Sequence, residues 1–168
     1  MPAGPLHASD AEVLYVRHFP VLLDTAMQKF EMNRDAHELG QPIELARAEY
    51  DRGRLLLRKG LYAQAVEHLR AVRHRFLIHS LAEEAGLCGL EMVEGLLMLA
   101  RADEAERLAR TIMSEFLAAS LNSRAITALG YLTEAIEARN ATPRTAMRVR
   151  EYVLSLRTSP EREFETHE

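Results

Sequence analysis

The chain has 168 residues, of which 48% are hydrophobic and 27% charged, and a formal net charge of −4. That balance suits a soluble globular domain, excludes a disordered chain, and argues against nucleic acid as a partner. With 8 glycines, 6 prolines, few β-branched residues and one cysteine, it offers little material for a sheet and none for a disulfide framework or a four-cysteine zinc site. Straight-chain helix formers dominate, so the expected class is all-α.

Residues 1–9, with Pro2, Gly4 and Pro5 and no periodicity, read as a flexible leader. No basic stretch followed by an apolar core marks a secretory signal, so the expected compartment is the cytoplasm. Ser9 or Asp10 can cap a first helix. Leu14, Phe19, Leu22, Leu23, Ala26, Met27 and Phe30 then recur at three- and four-residue intervals, with Pro20 restarting or kinking the helix. A shorter helical piece, Arg34 to Leu39, ends at the linker Gly40-Gln41-Pro42, so 10–41 forms an N-terminal helical segment. The run from Ala85 to Ala100 is the most apolar. It is too short to span a bilayer and carries Glu91 and Glu94, so it reads as a central buried helix.

A repeat governs the rest. Gly60-Leu61-Tyr62-Ala63-Gln64-Ala65, Ala100-Arg101-Ala102-Asp103-Glu104-Ala105 and Ala141-Thr142-Pro143-Arg144-Thr145-Ala146 follow one another at 40–41 residues, each a tight turn entering a new helix. They predict three helix hairpins: 43–59 with 62–77, 81–99 with 103–118, and 121–140 with 143–157. One such hairpin cannot bury its own apolar face, and about three are needed for a stable stack. Residues 158–168 remain as a C-terminal tail, an end cap with the single Phe164.

Gly53, Gly60, Tyr62, Ala65 and Leu69 resemble the tetratricopeptide repeat in type and spacing, although the second and third hairpins keep the alanine and replace both glycines. The resemblance covers 43–157 and implies an α-solenoid of three stacked antiparallel helix hairpins, here with an N-terminal helical cap. In its register the inner groove carries Arg47, Tyr50, Asp51, Arg54 and Arg58 on the first helix, and Leu87, Leu90, Glu91, Glu94 and Met98 on the third. Tyr131 and Arg139 follow on the fifth.

Charge is distributed unevenly. Segment 44–76 carries +4 and 77–118 carries −5, so a basic hairpin adjoins an acidic one. Several readings stay open. A groove of Arg47, Tyr50, Arg54, Arg58, Glu91, Glu94, Met98 and Tyr131 grips an acidic peptide, since the rigid fork of arginine suits carboxylates. Or Arg54 and Glu94 simply pair with each other. Or the hairpins of opposite charge join copies of the chain into a homo-oligomeric scaffold. Or Tyr50, Leu90, Met98 and Tyr131 line a pocket that senses a small ligand.

No catalytic residue, cofactor or metal is expected. His68, His74 and His79 are not spaced to share a helical face, and Cys88 reads as a small core residue. No phosphate-binding glycine loop or nucleophile motif occurs. Glu83-Glu84 and Glu91/Glu94 read as charged helix faces, and Met92, Met98, Met113 and Met147 as packing residues. Arg70, Arg73, His74 and Arg75 make a basic cluster with only Phe76 to stack on a base, a poor nucleic-acid surface. The chain is therefore expected to be a non-enzymatic module whose partner is a protein or peptide.

The N-terminal segment points to the context of that partner. Leu14-Tyr15-Val16-Arg17-His18-Phe19-Pro20-Val21-Leu22-Leu23, with Phe30 and Asp35-Ala36-His37-Glu38-Leu39-Gly40-Gln41, resembles the start of region 2 of bacterial extracytoplasmic-function sigma factors. The resemblance implies RNA polymerase or a sigma regulator as partner, a role in bacterial transcription regulation, and Asp35, Glu38, Leu39 and Gln41 as contacts. His37 stands where that family has an acid, Gly40 replaces an apolar residue, and Pro42 stops the second helix. The later promoter-reading helices are missing, so promoter recognition is not expected. A plain capping helix pair is the competing reading of 10–41.

Overall fold

The structure, a computed structural model, describes residues 41–166, and over them all regular structure is helical. The six helices are α1 (Pro42–Arg58), α2 (Tyr62–Ile78), α3 (Ala82–Met98), α4 (Ala102–Ala118), α5 (Ser123–Glu137) and α6 (Pro143–Ser155). The expected leader and the helices expected within 10–40, including Asp35, Glu38 and Leu39, lie outside the described residues. Of that segment only Gln41 is described; it is exposed, and its carbonyl accepts from the Leu45 N–H at 3.2 Å. No described helix is long and apolar enough to cross a membrane.

The unit of the fold is a single helix. The first four begin at 42, 62, 82 and 102, a spacing of 20 residues and half the period read from the sequence. Each of the five junctions turns on one residue in the left-handed region: Gly60, Ser80, Ala100, Ser120 and Arg139. The turning residue donates to the carbonyl three back and its successor to the carbonyl five back, as in Gly60 to Leu57 and Leu61 to Leu56, both at 3.0 Å. Such a closure satisfies carbonyls that a helix end leaves open. Glycine takes this conformation freely at 60; the other four carry a Cβ where it costs about 1–2 kcal/mol, tolerated because the turn is tied at both ends. α6 starts differently, with Pro143 in its first turn and Thr142 and Thr145 bonded reciprocally.

α3 occupies the centre. From Ala85 to Leu96 every residue is buried, Glu91 and Glu94 among them, as in a helix enclosed on every side. It packs against α2, α4 and α6, and against α1 through Leu57, which meets Gly95. Small residues permit these approaches. A Cβ on Gly86 would lie 2.1 Å from Cε1 of Phe116 in α4, and one on Gly53 would lie 2.3 Å from Cδ2 of Leu69 in α2. Phe116 and Leu69 are fully buried there, each contributing roughly 1.5–3 kcal/mol of hydrophobic stabilisation.

The third hairpin sets itself against this frame with its second helix. α5 packs on α4 and α6, while the place beside α3 is taken by α6, whose Ala146, Val149 and Val153 are buried. Beyond α6 the tail returns over α5 and α6. The ring of Phe164 lies 5.3 Å from that of Tyr131 and 4.9 Å from that of Tyr152. The Tyr152 hydroxyl donates to the Arg162 carbonyl at 2.7 Å, and Asn122 donates to that of Pro160 at 3.1 Å.

Candidate functional site

α1 presents Arg47, Tyr50 and Arg54 at i, i+3 and i+7, one stripe along its length. α6 presents Arg150 and Leu154 one turn apart, with Arg157 just past its end. With Phe76 of α2 and Glu84 and Leu87 of α3, these residues line a cleft of about 280 Å³.

Glu91 of α3 is fully buried next to the cleft-lining arginines, and three groups converge on its Oε1. Arg54 Nε donates at 3.0 Å, the Tyr50 hydroxyl at 3.4 Å, and Arg150 Nη1 closes on the same atom. Arg150 is itself only 5% exposed, so both members of that pair are out of water. A buried ion pair stands only where geometry and hydrogen bonds offset the loss of hydration. The compensation here is incomplete, since Glu91 Oε2 and Arg150 Nε have no partner. On the solvent side, exposed Asp51 lies 3.6 Å from Arg54.

Tyr50 is fixed as well as charged about. Its ring meets Phe76 edge-on at 6.1 Å, and the Arg54 guanidinium lies 5.7 Å from its centroid, a cation–π distance. Burial first, and then the Glu91 charge, hold its phenol well above the usual tyrosine range. It is a neutral hydrogen-bond donor, not a base.

One turn along, Arg58 lies 3.7 Å from Glu94. Burial, the largest influence, raises the Glu94 carboxyl; Arg58 pulls it down and Glu91 pushes it up. The expected Arg54–Glu94 pairing is thus replaced by Arg54–Glu91 and Arg58–Glu94, a shift of one helical turn.

Of the residues expected in one groove, Arg47, Tyr50 and Arg54 share the cleft, and Glu91 braces Arg54 and Arg150. Arg58 and Glu94 pair beside it. Met98, expected to pack, is 44% exposed at the end of α3, and Tyr131 lies against Phe164 on α5. Leu90 is fully buried in the core, so the four residues read as a ligand pocket are not brought together. Leu87, expected on the groove face, also lines the cleft, while Phe76, Glu84, Arg150, Leu154 and Arg157 were not placed there by sequence reasoning. The signal for the last three was only a spacing of i, i+4 and i+7, two arginines and a leucine on the flank of the apolar face of α6.

Two members of the basic cluster on α2 are engaged within the chain, Arg73 with Glu115 of α4 and Arg70 with Glu67, while Phe76 is core. His68 reaches Glu49 of α1, its Nε2 2.8 Å from the backbone carbonyl. Cys88 is buried, its thiol donating to the Leu69 carbonyl at 3.3 Å and pushed up to about 12 by burial. Among the described residues no group of three His, Cys, Asp or Glu is placed to hold a metal ion.

No family model matches the chain, and neither the curated proteins nor the solved structures contain a significant match to it.

Proposed function

We propose that this protein is a non-enzymatic helical interaction module that captures an acidic segment of another protein in the α1–α3–α6 cleft. The observation that carries the reading is the convergence of Arg47, Tyr50 and Arg54 from one end of the repeat with Arg150 and Arg157 from the other. Guanidinium, phenol and hydrocarbon suit the holding of a carboxylate beside an apolar group. Self-association through opposite hairpin charges gains less support. Arg54–Glu91, Arg58–Glu94 and Arg73–Glu115 already join the basic hairpin to the acidic one within a chain.

The resemblance of 10–41 to a sigma-factor segment makes RNA polymerase or a sigma regulator the first partner to test, in a bacterial cytoplasm. The test is affinity capture at about 100 mM salt, where exposed charges still attract, with the full chain, its Arg47→Glu/Arg157→Glu variant, and a chain lacking 1–40. Loss of one partner on charge reversal, with the helical circular dichroism intact, is expected. Undiminished capture by the charge-reversed protein would overturn the cleft as the binding surface. Loss only on removal of 1–40 would assign binding to that segment instead.

A further inference from the structure

We infer that the cleft reads a two-residue signature in its partner, one acidic side chain directly beside one bulky aliphatic side chain. The inference rests on the acidic-segment reading above and adds what that segment must contain. Size comes first. At about 280 Å³ the cleft falls just below the range of pockets that enclose drug-sized ligands, roughly 300–1,000 Å³, which leaves room for a pair of side chains. α6, seated against α3, occupies the face where a longer ligand would lie.

The lining is divided in two. One part is cationic, with Arg54 and Arg150 both directed to the single carboxylate of Glu91. The Arg150 guanidinium is 5% exposed, lines the cleft, and is short of acceptors because Nε has none. Arg150, buried, and Arg54, half-exposed and also near Asp51, share this one buried anion, and the unpartnered Arg150 Nε is left for an incoming carboxylate to accept from. The other part is hydrocarbon: Phe76, Leu87 and Leu154. Leu154 is still 37% exposed, so it is the apolar wall that a ligand would cover.

Glu84 supplies the discrimination. It lines the same cleft, and Glu83 alongside it holds Arg157 at 2.7 Å. A second acid on the ligand therefore meets the Glu84 carboxylate, a repulsion that Arg157, shared with Glu83, offsets only in part. Repulsion of the wrong neighbour is as effective as attraction of the right one.

The experiment uses the full-length protein and fluorescein-labelled hexapeptides, blocked at both ends, with a central Glu-Leu, Glu-Glu, Glu-Ser or Gln-Leu in a Gly/Ser frame. Anisotropy titration is expected to rank Glu-Leu at least about tenfold tighter than each of the others, the scale set by one well-placed apolar group. Leu154→Ser should bring Glu-Leu down to the level of Glu-Ser and leave Glu-Ser unchanged. If Glu-Glu or Glu-Ser binds as tightly as Glu-Leu, the two-residue signature is wrong while the acidic-segment reading stands. If no Glu-containing peptide binds better than Gln-Leu, both fail.

Discussion

α3 and α4 are the two arms of one hairpin, equal at 17 residues, and the fold treats them in opposite ways. α3 is buried without a break from Ala85 to Leu96 and carries two glutamates into the interior. α4 buries one stripe, Ala105, Ala109, Ile112 and Phe116, and leaves most of its charges outside. Glu104 bonds Arg101 at 2.6 Å and Asp103 bonds Arg139 at 2.5 Å, both at the surface. The same residue types thus do different things. On α4 an Arg–Glu pair is a screened surface contact; on α3 a glutamate holds two helices, α1 and α6, to a third.

Three measurements bear on that contrast. Glu91→Ala leaves Arg150 buried without its counter-charge, and should cost about 3–5 kcal/mol in denaturant unfolding. Glu104→Ala should leave the unfolding midpoint unchanged. Equal effects would show that the two helices do not differ in this respect. Next in size, Gly86→Ala drives a methyl into Phe116 and should destabilise by about 1–3 kcal/mol. Gly130→Ala in α5 has open space around it and should stabilise by about 0.5–1 kcal/mol. A neutral Gly86→Ala would mean that α3 and α4 are not in close contact at that point.

The smallest effect concerns Glu94, whose carboxyl is raised by burial despite Arg58. A group with a raised folded pKa holds its proton longer in the folded state than in the unfolded one. Its contribution to stability is therefore full below the ordinary glutamate range and lost as pH rises toward the folded pKa, opposite to a salt-bridged carboxylate. Glu94→Gln should remove that decline, so a melting-temperature series from about pH 4 to pH 8 should converge with wild type at the acid end and exceed it at the alkaline end. A variant that instead loses stability only above the acid range would identify Glu94 as a stabilising ionised partner of Arg58.

Much of the fold was legible along the chain. Amphipathic helical patterns and the turn segments near Gly60 and Ala100 placed the helices to within a few residues, and the apolar run of α3 announced its central place. The single-helix spacing, half the hairpin period, was legible too, in Ala65, Ala85, Ala105 and Ala125, all buried and 20 apart. It was hidden by the turns, because only Gly60 uses the residue that advertises a left-handed conformation; Ser80, Ala100, Ser120 and Arg139 do not. The site was half legible. Arg47, Tyr50 and Arg54 follow from helical spacing on one helix, whereas Arg150 lies 59 residues from Glu91, and no local pattern announces that α6 lies beside α3.

By itself, then, the sequence determined the class, the elements and the apolar faces, because helix propensity, turn chemistry and hydrophobic period act over a few residues. Tertiary structure decided which helix lies beside α3, which of the many Arg–Glu pairs leave water, and hence where a cleft opens. Those outcomes depend on packing volume and on desolvation. A glutamate at position 91 and one at position 104 are the same chemistry until their neighbours are set in place.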